Sequence, residues 1–408
     1  MTSNLKYIIV LMLIAIATSM CKKKEEIIPS PETSATKEEI AQKKFVSIDT
    51  LSEVSINELK LFAGAYGGDL LNDKIRYSVK RYVVTYLTEY QQKTIKASGV
   101  LYLPKGITTP ASLISAQHGT TFNKSDAPSV SQSFTGMEFL AATGYVTLMP
   151  DYIGYGASSE IDHPYYDSHH SAMAVIDMIK AVKEYTEQSK IVNLNNKLFL
   201  AGYSEGGYVT IAAQKQLEEK NNTGLHLKAV AAGAGGYDLT EMLKSLSNSN
   251  YYSYPAYLAF VINSYNTVYN WNKPFNYFFN ESYANKLDSM MKGNKDGWAI
   301  NNQLSTNMDS LFNKEFYQNL KGNGELQFKK ALIQNSLSNW APKTPTKLYH
   351  GTNDEIVPLK NSEVTFEKYK EYGSNAVEYI PIPGGTHGNT LLPMIKSFFP
   401  WFEKIDKE

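Results

Sequence analysis

A strand-like run that ends in Gly-x-Ser-x-Gly constrains the fold of this chain more than any other stretch. Residues 197–201 are mainly apolar, residues 202–206 read Gly-Tyr-Ser-Glu-Gly, and a helix-forming segment continues to Glu219. A serine placed between a strand and a helix lies on a sharp turn with its hydroxyl clear of the sheet, and the flanking glycines leave room where side chains would collide. The N-terminus of the helix favours negative charge beside that hydroxyl. The stretch therefore predicts that Ser204 is a nucleophile.

Strand and helix patterns alternate on both sides of this motif, which predicts an α/β fold with a mostly parallel sheet and helices on both faces. Before the alternation starts, residues 75–89 and 94–103 carry alternating apolar and β-branched side chains, which predicts an antiparallel pair at a sheet edge. The other predicted strands are 111–117, 145–150, 197–201, 227–232, 346–350 and 377–382, and the predicted helices are 56–66, 131–143, 167–185, 208–219, 361–371 and 390–404.

The alternation is interrupted by a long aromatic-rich segment. Residues 238–340 show no buried-strand pattern, and tyrosine, phenylalanine and tryptophan are concentrated between 251 and 283. A structureless loop of this length is uncommon in a compact domain. We therefore expect a mainly helical cap over 238–340, inserted between two parts of one core, 46–237 and 341–408. Tyrosine has an apolar body and a polar tip, so some of these side chains are candidates for lining a substrate tunnel.

The N-terminus has the pattern of an exported protein. Lys6 precedes an apolar run that is short for a membrane span, and small residues follow, so residues 1–20 are predicted to be a signal peptide. Cys21 is the only cysteine in the chain, which excludes an intrachain disulfide. Its position resembles that of the lipidated cysteine of bacterial lipoproteins, which would anchor the protein to a membrane. An ordinary signal peptide with an incidental cysteine is the alternative. Residues 21–45 are predicted to be a lipidated N-terminus and a flexible linker, and the expected location is the cell envelope (as an outer-membrane lipoprotein) or outside the cell.

The overall charge argues against one class of partner. The chain has 40 basic and 40 acidic side chains, and it lacks a basic stripe of the kind that neutralises phosphates. Nucleic acid is therefore not an expected partner. The sequence does not indicate an oligomeric state.

A nucleophilic serine needs a base to take its proton and an acid to orient that base. In hydrolases built on such a sheet, the acid and then the histidine follow the serine in the chain. The loop after the predicted strand 346–350 contains Asp354, with Glu355 beside it as the fallback. The loop after the last predicted strand contains His387, between glycines. We predict Ser204, Asp354 and His387 as the catalytic residues.

The negative charge that develops on an attacked carbonyl oxygen needs two backbone N–H donors. The residue after the nucleophile, Glu205, should supply one of them. The other should come from the loop after strand 111–117, which reads His118-Gly-Thr-Thr. Thr120 is the preferred second donor, and Thr121 is the alternative.

These motifs together resemble the α/β-hydrolase superfamily. A narrower resemblance is carried by the segment 97–104, by Pro-Asp-Tyr-Ile-Gly-Tyr-Gly at 150–156 and by His-Pro-Tyr at 163–165, which are similar to the secretory lipase family of fungal lipase-A-type enzymes and bacterial esterases. The resemblance covers about residues 75–405 except the cap. It implies hydrolysis of small-molecule or lipid carboxylic esters without a metal or an organic cofactor.

Two other functions and one metal site are alternatives. A peptidase of the prolyl or dipeptidyl type would use the same three residues, although no propeller repeat is visible, and a catalytically silent binding protein would share the fold. His163, Asp167, His169 and His170 are metal-ligand types close together in the sequence, but their spacing does not support a site. We therefore predict no metal.

Overall fold

A mixed β-sheet forms the centre of the molecule. The computed structural model describes residues 43–65 and 72–408, so the predicted signal peptide, Cys21 and the linker up to residue 42 lie outside the described residues. Within the described residues the sheet has nine strands in the order β1-β2-β3-β5-β4-β6-β7-β8-β9. The strands are β1 (Phe45–Val54), β2 (Val79–Tyr90), β3 (Lys93–Pro104), β4 (Ala111–Gln117), β5 (Val146–Pro150), β6 (Leu194–Tyr203), β7 (His226–Gly233), β8 (Thr346–Gly351) and β9 (Val377–Ile382).

Helices cover the sheet and fill the segment between β7 and β8. They are α1 (Ile56–Ala65), α2 (Met137–Ala142), α3 (Ser168–Ser189), α4 (Glu205–Glu219), α5 (Leu239–Ser247), α6 (Pro255–Val268), α7 (Phe275–Phe278), α8 (Glu281–Met290), α9 (Gly297–Asn301), α10 (Met308–Leu311), α11 (Lys314–Lys321), α12 (Leu326–Asn335), α13 (Leu359–Glu371) and α14 (Leu391–Lys407). No helix in the described part of the chain is both long enough and apolar enough to cross a bilayer.

Strand direction divides the sheet into two parts. The strands β1, β2, β3 and β5 pair antiparallel, whereas β5, β4, β6, β7, β8 and β9 pair parallel. Parallel strands bring their carboxyl ends to one edge, where the loops after β4, β6, β8 and β9 meet. The predicted fold class, a mostly parallel sheet with helices on both faces, is confirmed.

Alternating side chains of the central strands fill two separate cores. On β6, Leu198 and Leu200 pack with buried residues of α3 and α4 on one face. Phe199 and Ala201 point to the opposite face and pack with α2 and α14. Because successive side chains of a strand point to opposite faces, one apolar strand serves both layers. This is why the strand before Ser204 is continuously apolar in the sequence.

The antiparallel pairing predicted for residues 75–89 and 94–103 is confirmed, but these strands, β2 and β3, do not form the edge of the sheet. The strand β1 pairs antiparallel with β2 and is the outermost strand on that side. Most of its residues are exposed or only partly buried. Edge strands of this kind lack the apolar alternation that identifies a strand in a sequence.

The helix predicted over 131–143 is shorter than expected. Only Met137–Ala142 is helical, and Gly136 just before it has a left-handed φ of 85°. A residue in that conformation cannot continue a right-handed helix toward its N-terminus.

The segment between β7 and β8 is helical and packs on the same core as α3 and α4. Phe260, Tyr265, Phe279 and Leu311 of this segment are buried in that core. Among the described residues, its only β-type pairings are two isolated antiparallel bridges, which join Tyr251 to Asn307 and Phe279 to Phe312. The boundaries of a cap domain at 238 and 340 stay a prediction.

Asp238 joins the start of this helical segment to the rest of the core. Its Oδ1 accepts from the backbone N–H groups of Thr240 (3.1 Å) and Glu241 (2.9 Å), which caps α5. Its Oδ2 accepts from Lys368 Nζ (2.6 Å) and Ser338 Oγ (2.7 Å). Burial alone would raise the pKa of Asp238, but these hydrogen bonds, led by that of Lys368, lower the pKa to about 2.

We expect Asp238 to make the stability of the protein acid-sensitive. Because its folded pKa lies below the ordinary value of 3.8, its contribution is fully present above 3.8 and is lost as the pH falls towards about 2. Asp238→Asn should therefore lower the melting temperature at pH 7, and its difference from the wild type should shrink as the pH falls. Thermal melts between pH 7 and pH 2.5 measure this, and a difference that is constant with pH would contradict it.

Candidate active site

Ser204 lies on the sharp turn between β6 and α4. Its φ is 60° and its ψ is −125°, an unusual conformation for a residue other than glycine. The backbone N–H of Ser204 donates to Gly233 O at 2.8 Å, which ties the turn to β7. A Cβ on Gly206 would lie 2.1 Å from Gln117 O, and one on Gly202 would lie 2.2 Å from Gly206 O. The two glycines of the motif are therefore required by close backbone approach.

His387 brings its ring to the serine from the loop after β9. The His387 Nε2 lies 2.8 Å from Ser204 Oγ, and the backbone carbonyl of His387 accepts from Tyr203 OH at 2.7 Å. His387 Nδ1 lies 2.7 Å from Asp354 Oδ2. A carboxylate only accepts, so Nδ1 carries the proton and the lone pair of a neutral ring faces the serine hydroxyl. This is the arrangement that a general base needs.

Asp354 is held in the loop after β8 by three hydrogen bonds and lies beside the ring of His350. Its Oδ1 accepts from the N–H groups of Ile356 (2.9 Å) and Val357 (2.8 Å). Its Oδ2 faces both His387 Nδ1 and His350 Nε2, the latter at 3.3 Å. Burial would raise the pKa of Asp354, but the neighbouring rings of His350 and His387 lower the pKa well below its ordinary value. Asp354 is therefore ionised wherever His387 acts as a base.

Glu355, the fallback acid, is oriented differently. Its Oε2 accepts from the backbone N–H of His387 at 3.1 Å. The structure therefore brings Ser204, His387 and Asp354 together in one hydrogen-bonded chain, whereas Glu355 contacts the main chain of the histidine.

Glu205 follows Ser204 directly in the chain, and Thr120 lies in the loop after β4. A Cβ on Gly119, the residue before Thr120, would lie 3.6 Å from Ser204 Cβ, so this loop abuts Ser204. Among the described residues, no protein acceptor pairs with the backbone N–H of Thr120 or of Glu205. Unpaired N–H groups beside a nucleophile are what an oxyanion requires. The Thr120 hydroxyl contacts Tyr165 OH at 2.8 Å.

A small cavity of about 60 Å³ opens beside Ser204. Its walls are apolar and aromatic, and helix α6 of the inserted segment supplies several of them. The lining residues are Tyr165, Tyr166, Ser204, Gly236, Leu239, Met242, Tyr252, Tyr257, Leu258, Val261, Ile356 and Val357. Another cavity, of about 560 Å³, is lined by Lys124, Asp162 and their neighbours and contains none of the three predicted catalytic residues.

The histidines near 163–170 do not converge. His163 Nε2 contacts Glu205 Oε1 at 2.7 Å, whereas His170 Nδ1 contacts Asp167 Oδ1 at 2.8 Å. Within residues 43–65 and 72–408, no three His, Cys, Asp or Glu side chains are arranged to hold a metal ion.

Sequence reasoning missed several residues of the site. One of them is His350, whose Nε2 lies 3.3 Å from Asp354 Oδ2. Tyr257 and Val261 were part of a general aromatic-rich segment, and nothing in their spacing distinguished them from the other residues of the cap. For His350, the signal was its place five residues before Glu355 in the acid loop.

Comparison with known proteins assigns the family. A model of the secretory lipase family matches residues 126–396. This chain belongs to the secretory lipase family. The resemblance predicted from its motifs is therefore confirmed.

Relatives of known structure share the fold over most of the chain. A protein of Legionella pneumophila, known from its crystal structure, is 25% identical to this chain in sequence and has a TM-score of 0.80. The match covers 90% of this chain and 99% of that one. The rice cell wall degrading esterase LipA from Xanthomonas oryzae is 26% identical, with a TM-score of 0.76, over 87% of this chain and 95% of that one.

The matching sequences of other secretory lipases are longer. Lipase 2 of Candida albicans is 23% identical over 246 residues, which is 58% of this chain and 50% of the relative. The chain thus spans about half the length of the curated relatives it matches.

Proposed function

We propose that this protein is a serine hydrolase that cleaves carboxylic esters. Ser204 Oγ attacks the carbonyl carbon while its proton passes to His387 Nε2. Asp354 holds the ring and stabilises the imidazolium, and the N–H groups of Glu205 and Thr120 bind the oxyanion. The tetrahedral intermediate collapses, the alcohol leaves with the proton from His387, and water then releases the acyl group by the same steps.

The hydrogen-bonded chain from Ser204 through His387 to Asp354 is the observation that carries this proposal. Both distances, 2.8 and 2.7 Å, lie within the range that proton transfer needs. Membership of the secretory lipase family and the likeness to an esterase of 26% identity support an ester as the substrate.

We further propose that the acyl group is short. The cavity beside Ser204 measures about 60 Å³, and a single water molecule needs a cavity of about 10–15 Å³. A chain of a few carbon atoms fits this space, whereas a palmitoyl chain does not.

The expected result is that p-nitrophenyl acetate and butyrate are hydrolysed faster than the palmitate. Val261→Ala, which shortens a wall residue on α6, should move the optimum towards longer chains. Ile333→Ala is the matched control because Ile333 is 56% exposed in α12 of the same segment. An optimum at palmitate would contradict the short acyl group. Turnover of an anilide of the same acyl group but not of its ester would contradict ester hydrolysis.

Membership of the secretory lipase family also supports the export expected from residues 1–20. We also propose that Cys21 is lipidated. The mass of the N-terminal peptide, measured on protein isolated from membranes, tests this. An unmodified Cys21, or a mature N-terminus elsewhere, would contradict it.

A further inference from the structure

A buried His–Glu pair lies directly beside the nucleophile. The side chain of Glu205, the residue after Ser204, places Oε1 2.7 Å from His163 Nε2. The other ring nitrogen, His163 Nδ1, lies 2.7 Å from Ile153 O. Only 5% of His163 and 1% of Glu205 is exposed. The proposed chemistry uses the backbone N–H of Glu205 but does not use either side chain.

The hydrogen bonds fix where the protons of this pair lie. A carbonyl oxygen only accepts, so His163 Nδ1 must donate to Ile153 O. One further proton then lies between His163 Nε2 and Glu205 Oε1. Glu205 Oε2 is buried and has no partner among the described residues. The link to His163 is therefore the polar contact that holds this buried side chain.

The loop that carries Ile153 and His163 also holds the other side of the site. Tyr152 OH donates to His118 O at 2.8 Å, and Tyr155 OH donates to Thr121 O. Tyr165 OH contacts the hydroxyl of Thr120 at 2.8 Å. Segment 151–165 thus contacts both the loop of Thr120 and the side chain of Glu205.

Packing fixes this segment as well. A Cβ on Gly154 would lie 2.6 Å from the Cα of His163, so the two ends of the segment touch. The ring of His163 is surrounded by Tyr152, Tyr155 and Phe260, with centroid distances of 6.0, 4.9 and 5.7 Å. A ring enclosed in this way has little freedom to leave Glu205.

We propose that His163 is a positioning residue that sets the oxyanion site, by fixing Glu205 on one side while its own segment fixes Thr120 on the other. This inference rests on the proposed function. Ser204 is held at a positive φ, and an unusual conformation persists only where its surroundings fix it. The hydrogen bond between His163 and the Glu205 side chain is one such restraint. It acts on the residue whose backbone N–H faces the developing charge.

The test compares His163→Ala, His163→Gln, Glu205→Ala and the double variant H163A/E205A with the wild type. Loss of one oxyanion donor costs about 10²-fold or more in kcat. We expect His163→Ala to lower kcat for p-nitrophenyl acetate by about that factor, with KM within about threefold. His163→Gln retains a donor for Glu205, so its kcat should be about tenfold higher than that of His163→Ala. Since the two side chains act through one contact, the double variant should be no more than about threefold worse than the worse single variant.

A second measurement separates positioning from folding. Butylboronic acid forms a tetrahedral adduct with a serine, so its affinity should fall in parallel with kcat while KM does not follow. His170→Gln is the matched control, because His170 is a buried histidine paired with Asp167 that contacts neither Ser204 nor Glu205. It should lower the melting temperature without lowering kcat.

Several outcomes would overturn the inference. Unchanged kcat and boronate affinity in folded His163→Ala would do so, and so would an equal loss of kcat in His170→Gln. If His163→Ala does not fold, the kcat and boronate affinity of His163→Gln and Glu205→Ala test the inference in its place. Failure of the proposed function is distinguishable: the wild type would then hydrolyse no ester, whereas boronate binding would still compare the variants.

Discussion

Ser204→Ala is expected to lower ester hydrolysis by about 10⁵-fold or more, to the level of the remaining binding and oxyanion contacts. The change removes only Oγ, whose contact is His387 Nε2 at 2.8 Å. The backbone bond from Ser204 N to Gly233 O remains, so the turn should keep its conformation. Initial rates with p-nitrophenyl acetate, and labelling by a fluorophosphonate, measure the effect.

The matched control for this variant is Ser125→Ala, which changes an exposed serine far from the turn in sequence. It should retain the wild-type rate and its fluorophosphonate label. Substantial hydrolysis by folded Ser204→Ala would show that another nucleophile is used and would refute the proposed mechanism.

Asp354→Asn should have the second largest effect, a loss of about 10⁴-fold in kcat near neutral pH. Asp354 Oδ2 accepts the Nδ1 proton of His387 at 2.7 Å. An asparagine that keeps its bonds from Ile356 and Val357 on Oδ1 would turn its NH₂ group towards the ring. That group donates, so it favours the tautomer in which the proton lies on Nε2, where the base must be free.

Glu355→Gln is the isosteric comparison for this prediction. The Glu355 carboxylate accepts from the backbone N–H of His387, and a glutamine oxygen can accept the same bond. Its loss of kcat should stay below about tenfold. If Glu355→Gln were the more damaging of the two substitutions, the acid would have been assigned to the wrong residue.

The sequence predicted the candidate site residues from their places at strand ends. Gly-x-Ser-x-Gly follows an apolar strand, and Asp354 and His387 each follow another. Parallel strands bring their carboxyl ends to one edge, so three separate loops were predicted to meet. Where the chain did not use apolar alternation, as in the exposed strand β1, sequence reasoning failed.

Side-chain partners were less predictable than positions. The choice between Asp354 and Glu355 depends on how the acid loop turns, since both carboxylates contact His387 and only one reaches its ring. The aromatic composition of the inserted segment indicated a packed cap. Its composition did not indicate that Tyr257 and Val261 would line the cavity beside Ser204.

The sequence by itself therefore determined the alternation of strands and helices outside β1 and the inserted segment, the turn at Ser204 and the loops predicted to carry its partners, because these follow from local periodicity and from the steric needs of glycine. Only the tertiary structure decided which acid faces His387, how small the cavity is, and that His163 reaches Glu205. Those features depend on contacts between residues far apart in the chain, 42 positions for His163 and Glu205. Such contacts are set by packing between elements, which local sequence patterns do not encode.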